Sequence, residues 1–118
     1  MKKIYYLSTC NTCTRIITEL NLPEGFILQD IKTEPMTEVQ IQGMRDLTDS
    51  YESLFSKRAR LYKELELKDK SLTEDDYKNY ILEHYTFLKR PVILFNNKVF
   101  IGNSKKIVEA AKQTIHEK

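Results

Sequence analysis

The sequence predicts an α/β fold: a mixed four-stranded sheet assembled from a β-α-β start and a β-β-α finish, with a helical insertion between the two halves. Three observations carry this expectation. A strand-like run, Ile4-Tyr5-Tyr6-Leu7, passes through Cys10-Asn11-Thr12-Cys13 into a helix-like run, Arg15-Ile16-Ile17-Thr18-Glu19-Leu20. Near the other end, residues 91–95 and 98–101 flank Asn96-Asn97, the spacing of a β-hairpin with a two-residue turn. Between them, residues 37–87 read as a mostly helical insertion.

Residues 2–8 are rich in aromatic and β-branched types and predict a buried first strand. The helix that follows has Ile16, Ile17 and Leu20 as its apolar face and stops before the breakers Asn21-Leu22-Pro23-Glu24-Gly25. Phe26-Ile27-Leu28-Gln29-Asp30-Ile31 predicts a second strand, and strand, helix, strand at this spacing predicts a parallel pair. After the connector 32–36, Thr37 is the expected N-cap of a helix with Gln40 at the capping-box position. Val39, Ile41, Met44 and Leu47 are its expected buried stripe. Asp49 or Ser50 is expected to cap a next helix carrying Tyr51, Leu54 and Phe55. A further helical piece holds Leu61, Tyr62, Leu65 and Leu67. Thr73 with Glu74, Asp75 and Asp76 marks a strong helix start, and Tyr77, Tyr80, Ile81 and Leu82 continue that helix to about Tyr85. The tyrosines read as core and rim packing. After the hairpin, Gly102-Asn103-Ser104 ends the last strand. Ser104 is then expected to cap a final helix with Ile107, Val108, Ala111 and Ile115 inward. This order is a thioredoxin-like frame, read as a single domain over residues 1–118.

Composition bounds the function. Hydrophobic residues make up 41% of the chain and charged residues 31%, as in ordinary globular proteins. A net charge of +2 does not point to nucleic acid or an anionic membrane. No apolar run approaches the roughly 20 residues that span a bilayer. The basic-then-apolar start is cut short by Ser8 and Thr9, so it reads as a strand and not a signal peptide. The expected location is therefore the cytoplasm, where cysteines are more often catalytic, redox-sensing or metal-binding than structural.

The two cysteines, Cys10 and Cys13, carry the chemistry. With a helix starting near Asn11, Cys10 occupies its N-terminal end, where unpaired N–H groups and the helix dipole favour a thiolate. Cys13 lies about one turn on, placed to attack a mixed disulfide formed on Cys10. Zinc would need about four protein ligands. Only His84 and His116 could join the cysteines, and neither has ligand spacing, so no metal is expected. Pro91 opens a strand and cannot donate to the ladder. In the thioredoxin-like frame this position holds a cis proline beside the active-site cysteine. Arg90 next to it either brings a cation near Cys10, for a thiolate or an oxyanion, or is a solvated surface arginine. Lys57, Arg58 and Arg60 form a small basic cluster, either an anion or partner site or a solvated face.

Four segments in order resemble the arsenate reductase (ArsC)/Spx-like family of thioredoxin-fold proteins. They are Tyr6-Leu7-Ser8-Thr9-Cys10, then 30–37, then Ser53-Leu54-Phe55-Ser56 with Tyr62-Lys63-Glu64-Leu65, and Leu88-Lys89-Arg90-Pro91-Val92-Ile93. The resemblance implies two branches. In glutaredoxin-linked arsenate reductases, a cysteine matching Cys10 attacks arsenate and three arginines hold the oxyanion. Arg90 falls on one of those positions, whereas Ser56 and Gly102 occupy the others, with Arg58 and Arg60 as candidate replacements nearby in sequence. In the Spx branch, a Cys-x-x-Cys disulfide is a redox switch and the protein binds the C-terminal domain of the α chain of RNA polymerase.

The expected function is that of a thiol-disulfide oxidoreductase acting on a small oxyanion or disulfide substrate. Cys10 is the expected nucleophile and Cys13 the resolving cysteine. Asn11 and Thr12 supply backbone N–H groups around the Cys10 sulfur, Arg90 supplies charge and Pro91 shapes the substrate face. No bound cofactor is expected, and glutathione, glutaredoxin or thioredoxin is the external reductant. The alternative is a redox-sensing regulator that binds RNA polymerase, without direct contact to nucleic acid or membrane.

Overall fold

The computed structural model describes residues 1–117. In chain order the elements are β1 (Lys2–Tyr6), α1 (Asn11–Leu20), β2 (Ile27–Asp30), α2 (Glu38–Asp46), α3 (Arg60–Glu64), α4 (Glu74–Glu83), β3 (Val92–Phe95), β4 (Lys98–Ile101) and α5 (Lys105–Ile115). Single 3-10 turns lie at Glu52–Leu54, Leu67–Asp69 and Tyr85–Phe87. Two compact units result, one formed by Met1–Glu34 with the chain from Arg90 onward, the other by Pro35–Lys89.

The first unit holds the sheet, in the order β2-β1-β3-β4. β1 runs parallel to β2, as the βαβ spacing predicts, and antiparallel to β3, which pairs antiparallel with β4 across Asn96-Asn97. Asn96 takes φ 57°, the left-handed conformation that asparagine tolerates and that tight hairpin turns require. Ile4 and Ile93 face each other in the β1–β3 register and form the centre of the core. Ile16 and Leu20 from α1, and Val108, Ala111 and Ile115 from α5, pack on them. The α5 residues recur at the i, i+3, i+7 spacing of one helical face, and Ile107 is only half-buried. Ser104 accepts the Ile107 N–H at 3.2 Å and so caps α5 as expected. Beyond its last turn, His116 Nε2 lies 2.7 Å from the Leu20 carbonyl oxygen, joining the ends of α5 and α1. β2 is an edge strand: Ile27 and Leu28 are exposed, whereas the polar Gln29 is buried and its Nε2 donates to the Glu34 carbonyl at 2.9 Å.

The second unit is helical. Thr37 and Thr73 both close capping boxes, with Gln40 and Asp76 respectively, so α2 and α4 begin where the sequence places them. The expected α2 stripe needs correction. Ile41 and Met44 are buried, but Val39 is 77% exposed and Leu47 lies past the helix end, also exposed. Val39 precedes Ile41 by two residues, about 200° around the helix, and cannot share its face. The helix expected around Tyr51, Leu54 and Phe55 is a single 3-10 turn, with Ser50 Oγ accepting the Ser53 N–H. The piece at 61–67 also breaks up. α3 has five residues, Leu65 is exposed beyond it, and Glu66 turns left-handed at φ 54° before a 3-10 turn that buries Leu67. Phe55 is the hub of this unit. It stacks on Phe87 at 5.0 Å between centroids and meets Tyr77 edge-on at 4.9 Å. Tyr80 packs on Phe87 at 5.5 Å, so these tyrosines serve the core. Among the described residues, no helix is long and apolar enough to cross a membrane.

Candidate functional site

The site grows out of the β1–α1 junction. β1 ends at Tyr6, directly opposite Asp30 in the parallel register, and the Ile31 N–H donates to the Tyr6 carbonyl at 2.9 Å. The chain then turns through Leu7-Ser8-Thr9-Cys10, closed by the Cys10 N–H donating to the Leu7 carbonyl at 3.0 Å. The Asp30 carboxylate holds this turn. Oδ1 accepts the Ser8 N–H at 3.3 Å, Oδ2 accepts the Ser8 hydroxyl, and Oδ1 also takes the Lys32 N–H at 3.2 Å. The Ser8 hydroxyl, foremost among these donors, holds the Asp30 carboxyl below the usual range.

Cys10 is the N-cap residue of α1, in extended backbone conformation at φ −95° and ψ 110°. Its carbonyl accepts the Thr14 N–H at 3.2 Å, and the Thr14 hydroxyl donates to the Asn11 carbonyl at 3.0 Å. Cys10 is half-buried and Cys13, one turn inside the helix, is 1% exposed. Both are free thiols.

The two thiols titrate in opposite directions. Burial alone would push Cys10 up. The Cys13 backbone N–H, the Cys13 thiol, the Thr12 backbone N–H and the Arg90 charge together outweigh it and hold Cys10 below the usual thiol value. Cys13 is pushed up to about 11, first by burial and then by the hydrogen bond and negative charge of Cys10. The Leu7 backbone N–H and Arg90 oppose the rise without reversing it. Of the two sulfurs, Cys10 is the one that favours the thiolate, receiving a hydrogen bond from Cys13, whose own thiol holds its proton more tightly.

Arg90 and Pro91 stand at the entry to β3. The β1–β3 register pairs Tyr5 with Val92 and runs back toward this pair, so the strand next to the cysteine turn brings Arg90 into electrostatic reach of both sulfurs. The Arg90–Pro91 bond is cis, Pro91 is buried, and its carbonyl accepts the Gly102 N–H at 3.0 Å. β3 is an inner strand, so Pro91 sits at a strand start and not on an edge. The structure thus brings together Cys10, Thr12, Cys13 and Arg90. Asn11 is the first residue of α1, exposed, with its carbonyl engaged by Thr14. Arg58 and Arg60 belong to the second unit, both exposed, with Arg60 opening α3. Their neighbour Lys57 pairs with Glu52 at 2.9 Å. Of the other two positions where the resemblance expects an arginine, Ser56 is half-buried and its N–H donates to the Phe87 carbonyl. Gly102 has φ +97°, a conformation that strains any side chain. Among the described residues, no group of three or more His, Cys, Asp or Glu converges as a metal site.

A sequence model of the ArsC family matches residues 5–111. The chain belongs to the ArsC family. Its residues align with the global transcriptional regulator Spx of Bacillus subtilis at 24% identity over 106 residues, covering 86% of this chain and 79% of that one. Among solved structures, a protein described as a possible arsenate reductase from Streptococcus mutans shares 26% identity at a TM-score of 0.72, covering 89% of this chain and 92% of the other. The arsenate reductase from Vibrio cholerae superposes with a TM-score of 0.70 at 20% identity, covering 93% of each chain. These likenesses make the α/β architecture of this ArsC-family chain the thioredoxin-like fold that the element order predicts.

The Ser8–Asp30 contact has no counterpart in the motifs read from the sequence. The usable signal was the parallel β1–β2 register, which sets the end of β2 beside the start of the cysteine turn.

Proposed function

We propose that this ArsC-family chain is a thiol-disulfide redox protein in which Cys10 attacks and Cys13 resolves. The observation that carries this reading is the placement of two free cysteines, Cys10 half-buried at the N-cap of α1 and Cys13 buried one turn inside it, and the opposite directions in which the two thiols shift agree with it. The attacking species in disulfide exchange is the thiolate. The Cys10 thiolate displaces one sulfur of a substrate disulfide, forming a Cys10 mixed disulfide and releasing a substrate thiolate that takes up a proton. That step removes the negative charge from Cys10, and with it two of the causes that keep Cys13 protonated. Cys13 then gives its proton to solvent or the departing thiolate and attacks the Cys10 sulfur. The second substrate thiol leaves and a Cys10–Cys13 disulfide forms. Two electrons from glutathione, glutaredoxin or thioredoxin restore the dithiol. Arg90 favours the thiolate at each stage, and Thr12 supplies an N–H to the Cys10 sulfur.

A disulfide is a better-supported substrate than arsenate. Of the three oxyanion positions implied by the family, only Arg90 carries an arginine, and the backbone at Gly102 disfavours one. Turnover of a small mixed disulfide and of arsenate, each with glutathione–glutaredoxin and with thioredoxin, tests this. Disulfide turnover abolished by Cys10→Ser, with a trapped mixed disulfide in Cys13→Ser, is the expected result. Arsenate turnover without disulfide turnover would overturn it.

The likeness to Spx and the Cys-x-x-Cys pair favour a second reading, a redox switch that binds the C-terminal domain of the α chain of RNA polymerase. It predicts reversible Cys10–Cys13 oxidation without turnover. Failure to bind that domain in both the oxidised and the reduced state would exclude it.

A further inference from the structure

The Leu7–Cys10 turn leads from β1 into α1, and two of its residues, Ser8 and Thr9, are exposed. Exposed turns of this kind are free to shift unless something fastens them. Here Asp30 does so from the neighbouring strand. One carboxylate gathers three donors, two from Ser8 and one from Lys32, across a sequence separation of 22 residues for the Ser8 contacts. The carboxylate is itself fixed, because Asp30 pairs with Tyr6 in the sheet and Ile31 bonds the Tyr6 carbonyl. Ser8 is the first central residue of the turn that Leu7 and Cys10 close. Fastening it therefore sets the direction in which Cys10 enters the helix.

We propose that Asp30 is a positioning residue for Cys10, its carboxylate clamping Ser8 so that the cysteine turn is held against the N-terminal end of α1. The inference rests on Cys10 being the reactive thiol. Asp30 touches neither sulfur and acts through Ser8. Its effect has a sign that separates it from a simple charge. A carboxylate acting through space repels a thiolate, so its removal would make Cys10 more reactive. A clamp that keeps the sulfur on the Thr12 and Cys13 N–H groups does the opposite, and its loss makes Cys10 less reactive.

The experiment is the pH profile of Cys10 alkylation by iodoacetamide, followed by mass spectrometry, in the full chain, three single variants and the Ser8→Ala, Asp30→Ala double variant. Asp30→Ala is expected to slow Cys10 alkylation at pH 7 by roughly fivefold or more, the scale of one charged hydrogen bond, and to move its inflection up. Asp30→Asn retains a carbonyl acceptor and is expected to restore most of the wild-type profile. Ser8→Ala, which deletes one exposed hydroxyl and spares the fold, is expected to shift the profile in the same direction as Asp30→Ala, with a smaller effect. The double variant is expected to be no slower than Asp30→Ala alone. Faster alkylation in both Asp30 variants, or unchanged profiles in all three with only a lowered Tm, would overturn the proposal. A wild-type Cys10 with an ordinary thiol profile would instead overturn the redox reading beneath it.

Discussion

Cys13 serves Cys10 twice, through its backbone N–H and through its thiol, and both bonds favour negative charge on the Cys10 sulfur. In the proposed exchange, the resolving cysteine is thus also an activator of the attacking one. Cys13→Ala keeps the N–H and deletes the thiol. Its expected outcome is about tenfold less Cys10 thiolate at neutral pH, the scale of one hydrogen bond to a charged group. Cys13→Ser, which keeps a donor, should lose less. The pH dependence of Cys10 alkylation, in wild type and both variants, reads the difference.

The raised Cys13 has a consequence for alkaline stability. Its folded pKa, about 11, lies above the ordinary thiol value. The protein therefore holds this stabilisation in full below the unfolded pKa, roughly 8.5, and loses it as pH rises through about 11. Tyr5, raised by burial, acts with the same sign, so the wild-type curve alone is not diagnostic. Cys13→Ala should be less stable than wild type near pH 7, because a small cavity replaces a fully buried sulfur. The two urea midpoints should converge toward pH 11. A constant gap across this range would count against a buried, protonated Cys13.

What the sequence revealed about this fold follows the distance over which each signal acts. Thr37 with Gln40, Thr73 with Asp76, Ser104 before Ile107, and Asn96-Asn97 between two strands are local patterns, and each element starts or turns where they stand. The Cys10 N-cap is local too. What escaped depends on neighbours far along the chain. β2 reads as an ordinary apolar strand, yet its edge position leaves Ile27 and Leu28 exposed and buries Gln29 on the Glu34 carbonyl. Apolar content without strict spacing also misled, as Val39 and Leu65 show by facing solvent. At the site, the Cys-x-x-Cys spacing after a strand was enough to place Cys10 at the start of α1 and Cys13 one turn inside it. The clamp from Asp30 to Ser8 and the burial that protonates Cys13 come from tertiary placement, which no short motif encodes.

The second unit depends on an aromatic hub. Phe55 is 1% exposed and touches the rings of Tyr62, Tyr77, Tyr80 and Phe87. Phe55→Ala removes these contacts and opens a cavity, with an expected loss of about 3–5 kcal/mol. Thr73→Ala removes the acceptor of the Asp76 N–H, 3.2 Å away, and should cost about 1 kcal/mol. Urea denaturation of both variants checks the ranking. Comparable losses would mean that the hub repacks around the missing ring.

Arg90 offers a last prediction, on substrate charge. Its cation lowers both thiol pKa values, but it stands last among the causes for each, behind the hydrogen bonds. Removing it in Arg90→Met should therefore change Cys10 ionisation less than Cys13→Ala does. Its larger effect should appear when the disulfide itself carries charge, because a guanidinium beside the attacked bond attracts an anion and repels a cation. With a dianionic aromatic disulfide, Arg90→Met is expected to slow attack several-fold beyond the change in thiolate fraction. With dicationic cystamine the rate should hold or rise. The contrast should shrink as salt is raised, since the Debye length falls from about 30 Å at 0.01 M to about 3 Å at 1 M. Stopped-flow rates with both disulfides at two ionic strengths decide the point. Equal slowing with both, independent of salt, would mean that Arg90 acts on the thiolate alone and selects no substrate.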